Sequence, residues 1–146
     1  MNKQQKLELA KEYRQALDVM RKLEAEYDKI AKDVFKLEAF ELFDAHPQLI
    51  AFGWRQFTPG FNDGEPCRFR CYKDSPMVNG IDEYGDEDTD VEKYPELSKK
   101  EQKVLLGVVS KFLEGYEEHN LEAMFGDCVK VKVTRKEIET EEYQPY

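Results

Sequence analysis

From Lys3 to Asp44 the chain carries no glycine or proline, and Ala, Leu, Glu, Lys and Arg dominate. That composition predicts one continuous helix. Within it apolar residues recur at alternating steps of four and three: Leu9, Tyr13, Ala16, Met20, Leu23, Tyr27, Ile30, Val34 and Leu37. This is a heptad seam sustained for about four heptads, flanked by Glu12, Glu24, Glu26, Lys29 and Asp33 as on a solvated coiled-coil edge. From Leu37 the pattern thickens through Ala39, Phe40, Leu42 and Phe43, where the helix is expected to leave the seam and enter a core. A helix of this length measures ~60 Å, more than the width of a compact domain of this size. Part of it must project or find a partner helix. The only other long helix predicted is half as long, so Tyr13, Ala16, Met20, Leu23, Tyr27 and Ile30 predict self-association, a homo-oligomer expected as a dimer.

His46-Pro47 ends the helix, because a residue before proline avoids the α region. LIAFGWRQF then alternates, with Ile50, Phe52 and Trp54 on one face and Ala51, Gly53, Arg55 and Phe57 on the other. CRFRCY sets Cys67, Phe69 and Cys71 against Arg68, Arg70 and Tyr72. The Pro- and Gly-rich stretch between these strands, FTPGFNDGEPC, reads as a rigid hairpin loop anchored by Phe57 and Phe61. Residues 74–97 show no sustained period and read as an exposed acidic loop. Ser98 with Glu101 forms a capping-box pattern ahead of a helix over about 99–118, striped by Leu105, Leu106, Val108, Val109, Phe112, Leu113 and Tyr116. A short helix over 120–125 stops at Gly126; Val129, Val131 and Val133 mark a strand, and EIETEEY a further one. The order predicts an α+β fold: a long coiled-coil-like N-terminal helix, and an antiparallel sheet of about four strands with helices on one face. Residues 1–45 are the oligomerisation helix, and 46–146 a globular domain carrying the acidic loop 74–97.

Of the net charge of −9, residues 74–97 supply nearly all, with nine acidic groups and one basic. No apolar run approaches the length of a membrane span, and the first residues lack the apolar stretch of a signal peptide. Three cysteines without sign of export predict reduced thiols in a cytosolic compartment.

Two stretches, WRQFTPGFNDGEPCRF (54–69) and MFGDCVKVKVTRKEIETEEY (124–143), together resemble an uncharacterised family of small proteins encoded by tailed bacteriophages. That family carries W-x-Q-[YF]-T-P-x-F-N-D-G-[ED]-P-C-x-F after an N-terminal helix, and F-G-D…V-x-V-T-R near its end. Trp54, Gln56, Phe57, Thr58, Pro59, Phe61, Asn62, Asp63, Gly64, Glu65, Pro66, Cys67 and Phe69 match the first part. Phe125, Gly126, Asp127, Val131, Val133, Thr134 and Arg135 match the second. The resemblance implies a phage origin and residence in the host cytoplasm; it implies no catalytic residues. Lys136-Glu137 stands where the family pattern has Asp-Gly, which argues against a tight final hairpin, since such a turn needs positive φ.

No catalytic constellation emerges: the two histidines sit in no nucleophile motif, and there is no phosphate-binding glycine loop. The cysteines lack zinc spacing, and the acidic run lacks the glycine and glutamate of an EF-hand, so neither metal nor cofactor is expected, with weak divalent-cation binding a minor reading. The expected partner surface is the acidic run Asp82, Glu83, Asp86, Glu87, Asp88, Asp90 and Glu92. It suits a basic groove and imitates nucleic-acid phosphates, although it also reads as a merely solvated loop. An alternative ligand surface gathers Arg55, Arg68, Arg70, Tyr72, Lys130 and Lys132 on one sheet face, suited to a nucleotide. Its plainer reading is cross-strand pairing of the lysines with Glu139 and Glu141. The sequence therefore predicts a non-enzymatic phage accessory protein that binds and inhibits a host or bacterial-defence protein complex, without direct duplex DNA binding. Nucleotide sequestration is the first alternative and a minor virion or assembly component the second.

Overall fold

The structure, a computed structural model, describes residues 1–60, 64, 66–82 and 94–143. Helix α1 spans Lys3–Ala45. It starts in a capping box: the Asn2 side chain accepts from the Gln5 backbone N–H at 2.8 Å, and the Gln5 side chain accepts from that of Asn2 at 2.9 Å. Two of the orphan donors of a helix start are thereby satisfied. At 43 residues α1 is ~65 Å long. No helix among the described residues is long and apolar enough to cross a membrane.

Strands β1 (Ala51–Phe57), β2 (Arg70–Cys71) and β3 (Met77–Val78) precede helices α2 (Lys99–Glu114) and α3 (Glu118–Phe125); β4 (Val129–Thr134) and β5 (Ile138–Glu142) follow. The fold is α+β, with an antiparallel sheet of five strands rather than about four. β1 is central: β4 pairs along one edge from Ala51 to Gln56, while β2 and β3 share the other edge, opposite Gln56–Phe57 and Phe52–Gly53. β5 extends the sheet beyond β4. Gly53 is needed where β1 is squeezed between neighbours: a Cβ there would lie 2.5 Å from the Val131 carbonyl oxygen.

The core lies on one sheet face. Phe52, Trp54, Val131 and Val133 meet Phe35, Ala39 and Phe43 of α1, Leu105, Val109 and Leu113 of α2, and Leu121 and Phe125 of α3. Phe35 is fully buried at the centre, its ring 5.8 Å from that of Trp54, 5.5 Å from Phe112, 5.1 Å from Tyr116 and 5.3 Å from Phe125. The helix enters the core at Phe35, earlier than the thickening at Leu37 predicts, and Leu37 itself stays 63% exposed.

The structure differs from the sequence reading at four further points. The second strand of the first hairpin shrinks from six residues to Arg70–Cys71. Residues 74–82 are not an open loop. Val78-Asn79-Gly80-Ile81 closes a tight hairpin turn, with φ of 49° at Asn79 and 80° at Gly80 and reciprocal backbone bonds between Val78 and Ile81. Positive φ at both central residues is what Asn-Gly accommodates. Third, α2 ends at Glu114 rather than near 118. Fourth, the final hairpin is tight despite Lys136-Glu137: neither Arg135 nor Lys136 takes positive φ. The Thr134 hydroxyl instead accepts from the Lys136 and Glu137 N–H groups at 3.3 and 3.2 Å, and Thr134 N–H donates to the Glu137 carbonyl.

Candidate interaction surfaces

Among the described residues, most of the exposed large hydrophobic side chains lie along the heptad seam. Tyr13, Met20, Leu23, Tyr27 and Ile30 are each more than half exposed, Tyr13 the most at 67%. Ala16 is exposed as well, and between Lys3 and Ile30 only Leu17 is half-buried. At 100° per residue the seam is centred ~140° round α1 from Phe35, Ala39 and Phe43. The two faces are therefore distinct: one is consumed by the core, and the other, from Leu9 to Leu37, is exposed along its length. Exposed apolar surface this long and this regular is the form of a helix-pairing surface.

The open face of the sheet carries the basic set. Arg55 lies between two rings, its guanidinium carbon 5.4 Å from the Tyr72 centroid and 5.7 Å from that of Tyr143. It also donates to the Tyr143 hydroxyl at 3.1 Å. Phe57 stacks on Tyr72 at 4.8 Å. Such a sandwich holds a guanidinium by cation–π attraction, so Arg55 is engaged within the protein. Lys130 stands opposite Glu141 and Lys132 opposite Glu139 in the β4–β5 register, the geometry of cross-strand charge pairing. Lys132 also lies over the Tyr94 ring at 5.5 Å. Arg68 and Arg70 are exposed at the far edge. The structure thus brings Arg55, Tyr72, Lys130 and Lys132 to one face. Tyr143, 88 residues from Arg55, completes it, a partner that strand parity could not have shown.

Of the acidic run, Asp82 is described and half-buried. Glu83, Asp86, Glu87, Asp88, Asp90 and Glu92 lie outside the described residues, as do Phe61, Asn62, Asp63 and Glu65 of the first hairpin loop.

The conspicuous segments W-R-Q-F-T and F-G-D bond to each other. Gln56, fully buried, accepts from the Trp54 indole N–H at 2.9 Å and donates to the carbonyls of Leu121 at 3.0 Å and Gly126 at 2.7 Å. Thr58 donates through its backbone N–H and hydroxyl to the Asp127 carboxylate, at 2.8 and 2.9 Å, and Cys128 N–H adds a third bond at 2.8 Å. Burial opposes ionisation of Asp127, but the bonds from Thr58 and Cys128 outweigh it and hold the carboxyl below its ordinary range. These residues lock β1 to the end of α3, which is a structural task. Asn79 performs another: 2% exposed, it accepts from Ile50 and Ala51 N–H at 2.8 and 3.1 Å and donates to the Gln48 carbonyl at 2.9 Å. Its signal in the sequence is the Asn-Gly pair between Val78 and Ile81.

Burial pushes the Cys71 thiol up to about 12, which keeps it protonated and a poor nucleophile. Burial, then the Glu38 carboxylate that accepts its hydroxyl proton, raises Tyr116. All three cysteines are free, and among the described residues no group of three His, Cys, Asp or Glu side chains is placed to hold a metal ion. No family model matches the chain, and comparison with curated proteins and with solved structures also gives no match.

Proposed function

We propose that this chain is a non-enzymatic accessory protein of a tailed bacteriophage, self-associating through α1, that binds and inhibits a host or bacterial-defence macromolecule. The observation that carries the reading is the exposed seam from Leu9 to Leu37 on a face of α1 separate from its buried one. A helix that spends one face on its own core and keeps a second apolar face for nearly its whole length is built to pair. The phage origin rests on the resemblance of residues 54–69 and 124–143, and the target class on the acidic run of segment 82–92, whose carboxylates suit a basic groove. The basic sheet face supports nucleotide binding less well, because Arg55 is already sandwiched and both lysines stand opposite glutamates.

Affinity capture from a bacterial host lysate tests the acidic segment. Wild-type chain is expected to retain a specific partner, and the Asp86→Asn/Asp88→Asn/Asp90→Asn variant to lose it. Equal capture by both removes the acidic segment from the account.

A further inference from the structure

We propose that the seam is covered by a second copy of this chain running antiparallel, with Tyr27 of each helix packed over Ala16 of the other. This rests on the self-association proposed above and adds its geometry. Three independent features of α1 point to it.

The first is charge. Residues 1–11 hold three lysines and one glutamate; residues 33–44 hold four acidic groups and one lysine; residues 12–32 hold five of each sign. Arg135, paired with Asp44, offsets one of the acids at the second end. The two ends of the helix are still of opposite sign about a neutral middle. Antiparallel pairing sets the basic end of each copy on the acidic end of the other, and parallel pairing sets like on like at both. The helix dipoles add in the same direction, since opposed helices bring unlike ends together.

The second is layer volume. Tyr13, Met20, Tyr27 and Val34 occupy one set of seam positions, and Leu9, Ala16, Leu23, Ile30 and Leu37 the other. A parallel dimer in register stacks Tyr13 on Tyr13 and Tyr27 on Tyr27, with the small Ala16 pair between them. That alternates overfilled and underfilled layers, and both cost stability. In the antiparallel arrangement each member of the first set meets one of the second: Tyr13 with Ile30, Met20 with Leu23, Tyr27 with Ala16, Val34 with Leu9. The largest residue faces the smallest, and the remaining layers are even.

The third is extent. Val34 is 40% exposed and Leu37 63%, although Phe35 between them is buried. The seam thus runs on beside the globular body instead of stopping where the body begins. Antiparallel layering uses that stretch, because Leu9 needs Val34 of the other copy. The dyad falls between Arg21 and Lys22, and the two Phe35 residues lie ~40 Å apart along the axis, each opposite residue 8 of the other copy. The two globular bodies are held at opposite ends of a rod, so both present their surfaces at a fixed spacing suited to bivalent engagement.

Oxidative cross-linking of full-length chains carrying Cys67→Ser, read as the fraction of double-mass species on a non-reducing gel, tests the orientation. An equimolar mixture of Leu9→Cys and Val34→Cys, allowed to exchange, is expected to cross-link in about half of the protein, the statistical share of mixed dimers, while either variant alone does not. Leu23→Cys, next to the dyad, cross-links in both orientations and reports self-association as such. Cross-linking of Leu9→Cys alone and of Val34→Cys alone, with no gain on mixing, overturns the antiparallel arrangement and leaves self-association standing. Absence of cross-linking at all positions, Leu23→Cys included, overturns both. The substituted positions are exposed on the helix, so folding of the body is not at stake.

Discussion

Phe35→Ala is expected to lower the free energy of unfolding by about 4 kcal/mol, read from the shift of a denaturant transition at unchanged slope. Phe35 is the one side chain of α1 whose ring touches rings from α2, α3 and the sheet together, through Phe112, Tyr116, Phe125 and Trp54. Truncation removes the apolar burial and leaves a cavity walled by four aromatic rings. Those rings are themselves held by β1 and by two helices, so the site cannot collapse to fill the space. A loss below ~1 kcal/mol would mean that α1 does not dock on the sheet through this residue.

Gln56→Leu is expected to cost about 3 kcal/mol although it keeps nearly the same volume. The side chain is fully buried and makes three hydrogen bonds. Leucine leaves the Trp54 indole N–H and the Leu121 carbonyl without partners in a buried site, and takes from the part-buried Gly126 carbonyl its bond. Gln56→Glu is expected to be no milder. A carboxylate still accepts from Trp54 but cannot donate to two carbonyl oxygens, and it brings a charge into the core. Thermal and denaturant unfolding of the three chains side by side check the order; a leucine variant as stable as the parent would show the knot to be replaceable by packing.

These two residues mark the limits of what the sequence makes legible. The long helix, the capping box at Ser98 and Glu101, the α3 stop and the β4 alternation all rest on local patterns, and the structure has each of them. Trp54 and Gln56 stand out in the sequence too, as part of the segment resembling the phage family. Their purpose becomes readable only once Leu121 and Gly126, 65 and 70 residues from Gln56, are brought beneath them. β3 has two residues, too few to show a period, and it sits in a stretch dominated by acids; Asn79-Gly80 was the one local clue to it. At the last turn a threonine hydroxyl satisfies backbone N–H groups in a turn without positive φ, so the missing Asp-Gly misleads. The basic face was legible as a face, because alternation alone sorts Arg55, Lys130 and Lys132 together. That Arg55 is clasped by Tyr72 and Tyr143 depends on strand order, which alternation does not encode.

The same separation holds for α1. Its heptad steps are visible in the sequence, but only the fold shows that the core takes Phe35, Ala39 and Phe43 from a different face and leaves the seam whole. The central claim is that this seam pairs. Light scattering on the full-length chain eluting from a sizing column, at micromolar concentrations, tests it most directly. The account predicts a mass twice the 17.2 kDa of the single chain. A mass of 17.2 kDa that does not rise with concentration would contradict it.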